Sequence, residues 1–236
     1  MLCRDAPALF LRRVAAMLDR DARARVLPFI IYIGFIIVAD VLERCGWTAT
    51  ELRWLYGVKI SAVLAALLWY RRHYTELALP LPRGGVLALS VLCGIAVWWL
   101  WIRLDAPWMV LGNSAGFDPR DQRQIDWLLV AVRLAGAALV VPVMEELFWR
   151  SFLMRFLDAQ AFLQHDPARV KNTTFIITVL LFGFEHTLWF AGVVAGAVYT
   201  ILYMRSRSLW APVIAHGVTN GLLGAWIIST DHWAYW

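Results

Sequence analysis

Charge is the component this sequence has least of. Asp, Glu, Lys and Arg make up 17% of its 236 residues, where a soluble globular domain carries about 25%. Apolar residues reach 61% and mean hydropathy is +0.62. That balance excludes an ordinary soluble domain, and the length leaves no room for a second sizeable one. Cysteine is scarce too. Cys3, Cys45 and Cys93 are scattered, with no C-x-x-C, so neither a disulfide framework nor a zinc knuckle is supported. There is no H-E-x-x-H, no internal repeat and no low-complexity stretch. The net charge of +5 does not mark a nucleic-acid binder, because the basic residues, nearly all Arg, lie between apolar runs rather than along one face.

What is present is apolar length. Seven runs cover 26–42, 54–70, 84–102, 127–149, 173–190, 191–204 and 209–229; a helix spanning a bilayer needs about 20 residues. Several of the 14 Trp stand at the run ends, among them Trp47, Trp69, Trp101, Trp127 and Trp210, where indoles favour the membrane–water interface. The expected fold is all-α, a polytopic membrane bundle of about seven (6–8) transmembrane helices embedded in the lipid bilayer. Residues 1–126 would supply about three spans with their loops, and residues 127–236 the remaining helices. The first apolar run is too long for the core of a secretion signal and reads as a retained span. Ala191-Gly192 is expected to form a tight hairpin between the fifth and sixth runs. The loop 103–126, with Gly112-Asn113, reads as a solvated connection. With the N-terminus in the cytoplasm, the inner segments carry 15 Lys and Arg and the outer ones 5, which places the C-terminus outside.

Ionisable groups are costly in hydrocarbon, about 2.5–3.5 kcal/mol for Asp, Lys or Arg at a helix centre on insertion scales. Those in this sequence gather after residue 140. Glu145 and Glu146 are adjacent, so they face different neighbours. Arg150 lies four residues after Glu146, the favourable order for a pair within one helix. Glu145 has no such cation and must find a partner elsewhere or take up a proton, which suits general acid–base work. Phe182 and His186 share a helix face, with Glu185 beside the histidine. His216 and Asn220 share another. Each pair alone has a plain reading as helix-exit charge, core histidine or interhelical hydrogen bonding. Together they offer a carboxylate, two imidazoles and a carboxamide. A carboxylate with an imidazole activates water, and an imidazole with a carboxamide holds an oxyanion when the histidine donates a proton to it. Neither Ser nor Cys stands in a comparable setting, which disfavours a covalent route.

The series Glu145-Glu146-x-x-x-Arg150, Phe182-x-x-x-His186 and His216-x-x-x-Asn220 resembles, in order and spacing, the CAAX-protease and bacteriocin-processing (ABI) family. The resemblance covers roughly 127–229. It implies a helical membrane protease whose site lies among the last four helices. Glu145 and His186 would activate water, His216 and Asn220 would stabilise the oxyanion, and Glu146 and Arg150 would support the site. The family is described as metal-independent, so no metal and no cofactor is implied. Phe182–Trp189, Ser208-Leu209-Trp210-Ala211 and the ending Trp233-Ala234-Tyr235-Trp236 further resemble the bacterial branch associated with exosortase systems. That implies a bacterial inner membrane, a membrane-associated protein or peptide substrate cut near its C-terminus, and partners in the exosortase pathway. Glu185 departs from the pattern, since many members have a small or apolar residue there. Glu145 and His186 reach the same depth only if the helix beginning at 127 continues through about 157. Two other readings of the cavity stand beside this one. In the first, Glu145, His186 and His216 bind zinc in a metallopeptidase. In the second, the protein is not an enzyme but an assembly or immunity partner that binds a peptide or lipid.

Overall fold

A computed structural model describes residues 19–112, 116–121 and 124–236; Cys3 and Asn113 lie outside these. Among the described residues seven longer helices form the body. They are α1 Arg20–Arg44, α2 Ala49–Trp69, α3 Gly85–Trp101, α4 Trp127–Asp158, α5 Asn172–Phe184, α6 Trp189–Ser206 and α7 Trp210–Thr230. Four of them, α1, α2, α4 and α7, are long and apolar enough to cross a membrane, and α3 and α5 are shorter apolar helices. Strands β1 (Arg120–Asp121) and β2 (Gln124–Ile125) form a short antiparallel ladder before α4.

The starts follow local chemistry. Asp19 accepts from the Arg20 N–H at the head of α1. Thr48 and Glu51 form a capping box on α2, and Asp126 accepts from the Leu128 and Leu129 N–H groups at the head of α4. Each satisfies amides that a helix leaves unpaired. Large apolar side chains face outward, for example Ile37 at 58%, Leu92 at 62% and Leu139 at 70% exposure. This surface is unfavourable in water and ordinary against acyl chains. The chain is a helical integral membrane protein.

Two expectations change. The turn between the fifth and sixth helices falls at Glu185–Leu188, and Ala191 and Gly192 are buried inside α6. They are there because α5 and α6 touch backbone to backbone: a Cβ on Gly192 would come 3.0 Å from the Gly183 Cα. The fifth helix therefore stops at 184 rather than 190, and the sixth starts at 189. The charge count also treated Arg25, Arg150 and Arg155 as loop residues, whereas all three are buried. The extension of α4 beyond 149 is present, through Asp158.

α3 lies along α7, α5 along α6 and α1 along α2. Gly94 makes the first contact close. A Cβ there would meet the Ala215 carbonyl and stand 2.8 Å from Val218 Cβ, while Thr219 Oγ1 donates to the Gly94 carbonyl at 2.9 Å. Gly94→Ala is expected to destabilise by about 1–3 kcal/mol through overpacking, read as a lower unfolding temperature in detergent. An unchanged transition would mean that α3 and α7 are not in backbone contact.

Beyond the spans, Glu76 ties three segments together. It accepts from Arg25 at 2.5 Å, from Ser151 at 2.6 Å and from Arg155. Burial pushes its carboxyl up, yet the Arg25 and Arg155 guanidiniums prevail and bring it down to about 2. A carboxylate depressed in the folded state stabilises fully above its unfolded value near 4.3, and that stabilisation fades as pH falls toward 2. The contribution is on the order of 3 kcal/mol at neutral pH. Glu76→Gln is expected to unfold at lower temperature than wild type at pH 7. The gap should close between about pH 4 and pH 2; a gap independent of pH would contradict the ionic clamp.

Candidate active site

The central stretch of α4 is not a regular α-helix. Gly136–Val140 and Leu147–Met154 are π-helical, with the α-helical turn Val141–Glu146 between them. Such π turns recur at functional sites, and the cause here lies in the sequence. The Val141 N–H donates to the Gly136 carbonyl five residues back. In that register the next donor would be residue 142, but Pro142 has no N–H, so the Ala137 carbonyl is left free. Asn220 on α7 supplies the donor, with Nδ2 at 2.8 Å from that oxygen. Gly217, one turn earlier on α7, lets the helices close: a Cβ there would stand 2.9 Å from the Ala138 carbonyl. The proline that opens α4 thus positions Asn220.

Glu145 and Glu146 take separate roles, as adjacent helix positions require. Glu146 is fully buried, and its Oε1 accepts from Arg150 at 3.2 Å and from His216 Nδ1 at 3.0 Å. The expected pair within the helix is present and is extended to α7. Arg150 also donates to the Gly196 carbonyl on α6 at 3.3 Å and lies over the Phe182 ring at 4.2 Å. One ion pair therefore joins α4, α5, α6 and α7. Because the Glu146 carboxylate can only accept, His216 carries its proton on Nδ1. The His216 ring stacks on Tyr199 with centroids 5.0 Å apart, and Tyr199 donates to Thr219 at 2.7 Å.

His186 is fixed in the same way. Its Nδ1 lies 2.8 Å from the Phe182 carbonyl, an acceptor only, so Nδ1 is the donor, and in the neutral ring Nε2 bears the lone pair. The ring lies 4.8 Å from that of Phe182 and meets Trp101 edge-on at 5.4 Å. Among the described residues Glu185 bonds neither an imidazole nor an arginine; it accepts from Trp149 Nε1 at 3.0 Å.

Glu145, His186, His216 and Asn220 all line one cavity of about 250 Å³. Glu145 is 5% exposed, and its Oε2 is buried with no hydrogen-bond partner among the described residues. Among the described residues no group of three or more His, Cys, Asp and Glu is placed to hold a metal ion, so the set Glu145, His186 and His216 is not assembled as zinc ligands.

The view that the buried ionisable groups gather only after residue 140 is too narrow. Tyr32, Tyr56 and Arg133 line the same cavity, and Lys59 lies beside Tyr32 and Tyr56. Lys59 and Arg133 were visible as cations within apolar runs, and that was the signal available in the sequence. Tyr32, Tyr56 and Tyr199 carried none, since tyrosines in apolar runs are common.

The fold and site define a polytopic membrane protein with a buried carboxylate, two oriented imidazoles and an anchored carboxamide around one cavity. Residues 127–222 match the family model described as type II CAAX prenyl endopeptidase Rce1-like. Glu145, His186, His216 and Asn220 all lie within the matched stretch. No curated protein and no solved structure matches the chain.

Proposed function

We infer that the protein is an intramembrane endopeptidase that hydrolyses a peptide bond with a glutamate-activated water. The observation that carries this reading is the unpartnered buried oxygen of Glu145 in the cavity shared with His186, His216 and Asn220. A buried carboxylate oxygen without a donor suits a water molecule, and the neutral His186 Nε2 is a second acceptor for it. Glu145 takes a proton from the water, whose hydroxyl adds to the carbonyl carbon. The C–N bond then breaks, and the proton passes to the leaving amine. His216, with Nδ1–H held by Glu146, presents Nε2 to the cavity and donates to the oxyanion once that nitrogen carries a proton. Asn220 keeps a second amide N–H beyond the one given to Ala137. Donors fixed in this way stabilise developing charge without reorganising.

The substrate is a membrane-associated protein or peptide cut near its C-terminus. Candidates are surface-anchored proteins with C-terminal sorting signals of the exosortase type, in a bacterial inner membrane with the N-terminus of the protease cytoplasmic. The experiment is deletion in the native host, with the intact masses of such proteins followed before and after complementation. A mass increase equal to a C-terminal segment, reversed by the wild-type chain, is expected. Unchanged masses across the surface-anchored set would remove these substrates and favour an assembly role for the same cavity.

A further inference from the structure

The residues after α7 lie outside the stretch that matches the family model, yet two of them wall the catalytic cavity. Tyr235 and Trp236 line it together with Glu145, His186, His216 and Asn220. Both also line a second cavity of about 550 Å³, beside Trp101, Val110 and Leu188. The polar side chains of that second cavity are Asp105, His186 and Thr187, and Asp105, Gly112 and Ala234 are exposed at its rim. The walls that the two cavities share are Trp101, His186, Tyr235 and Trp236.

The deep end of the catalytic cavity is shut. Phe182 and Tyr199 are each 1% exposed, and the Glu146–Arg150 pair is fully buried. The other end lies where α3 ends, α4 begins, α5 turns into α6 and α7 ends. A third cavity, reached between α1 and α2, touches His186 and Trp236 as well, but it carries Glu43, Lys59, Arg133 and Glu185. An apolar chain drawn through it would desolvate charges, whereas the second cavity offers ring and aliphatic walls.

The turn that separates the first two cavities is held unevenly. Its first half is anchored: Trp233 is buried, and its carbonyl accepts from the Phe117 N–H at 3.1 Å. In its second half Ala234 is exposed and Tyr235 and Trp236 are half-buried. Tyr235 Oη donates to Asp105 at 2.9 Å on the exposed surface and the Tyr235 ring meets Trp226 edge-on at 5.2 Å, while Trp236 lies 6.3 Å from Phe117. A segment held by one exposed hydrogen bond and ring contacts opens locally at low cost.

We propose that Tyr235 and Trp236 form a gate on the catalytic cavity, latched by the Tyr235–Asp105 hydrogen bond, and that an extended apolar segment of the substrate enters from the face carrying Asp105. What passes the gate rests on the proteolytic reading of the site; the gate itself is tested without turnover.

The test uses the full chain with Cys3, Cys45 and Cys93 replaced by Ser and with Leu223→Cys as a reporter, since Leu223 lines the catalytic cavity. The reagent is membrane-impermeant methanethiosulfonate-ethyltrimethylammonium, applied to sealed vesicles of each orientation. Cys45 kept as the single thiol marks the face of the gate: it is exposed, and Glu43 two residues earlier lines a cavity with Thr187 and Trp236. The Leu223→Cys thiol is expected to react in the vesicles in which Cys45 reacts. Tyr235→Phe should raise its rate about 5-fold, as the loss of one exposed hydrogen bond implies, and Trp236→Ala at least as much. In an Asp105→Ala background Tyr235→Phe should add nothing, which a general loosening of the fold would not produce. Unfolding temperatures and an unchanged Cys45 rate show that each variant is folded, and reaction after denaturation shows that the reporter thiol is present. Reaction from the opposite face, rates insensitive to Tyr235→Phe and Trp236→Ala, or no reaction in any folded variant overturns the proposal; equal rates in all variants would put the entrance between α1 and α2. Hydrolysis is judged separately, by the effect of Glu145→Gln on processing, so the gate and the proteolytic reading can fail independently.

Discussion

Glu145→Gln is expected to accumulate in the membrane at the wild-type level while processing falls about 10²- to 10⁴-fold, the range for losing a general base. The substitution keeps shape and volume and removes the charge. Glu145 Oε2 accepts no hydrogen bond among the described residues, so no contact that holds the helices together is lost. Glu146 is the control on the neighbouring position. It binds Arg150 and His216, so Glu146→Gln should lower both stability and rate. The measurements are unfolding temperature and single-turnover rate on the same preparations. Glu145→Gln processing within twofold of wild type would falsify the assignment of the base.

Arg150→Met is expected to cost about 3–5 kcal/mol, the range for removing one partner of a buried ion pair. Glu146 and Arg150 are both 0% exposed. Without the guanidinium, the Glu146 carboxylate is left in apolar surroundings with His216 Nδ1 as its remaining donor. The Gly196 carbonyl on α6 and the face of Phe182 on α5 lose their contacts as well. The double variant Arg150→Met with Glu146→Met should recover a large part of the loss, because an apolar replacement of a whole buried pair is often neutral. Chemical or thermal unfolding of the four proteins in detergent gives the cycle. Strict additivity would mean that the two side chains do not interact in the folded state. The recovered double variant should still process poorly, since His216 loses the carboxylate that orients its ring.

Much of the site was legible because its parts are local. Glu146 and Arg150, Phe182 and His186, and His216 and Asn220 are each four residues apart, and helix periodicity alone places such pairs together. The illegible parts depend on partners far along the chain. Periodicity placed His216 and Asn220 on one helix face as hydrogen-bonding groups without naming their partners; His216 is tied to Glu146 seventy residues away and Asn220 to Ala137 at a separation of 83. Glu185 bonds Trp149 across 36 residues. The misplaced hairpin has the same origin. Ala-Gly is a fair turn signal in isolation, but a small residue also lets helices touch, and only the neighbour decides which use applies.

The sequence by itself determined that the chain is a membrane helical bundle and that a carboxylate, two imidazoles and a carboxamide stand on three of its helices. Run length, the scarcity of charge and four-residue spacing act within a single helix, so no contact map is needed to see them. Tertiary structure decided the rest. It set the π turns of α4 against Asn220, joined Glu146 to His216, brought Lys59 and Arg133 from different helices to one ring, and clamped Arg25, Glu76 and Arg155 at one end of the bundle. Those arrangements follow from burial: a polar group removed from water takes whatever partner the packed helices bring within reach.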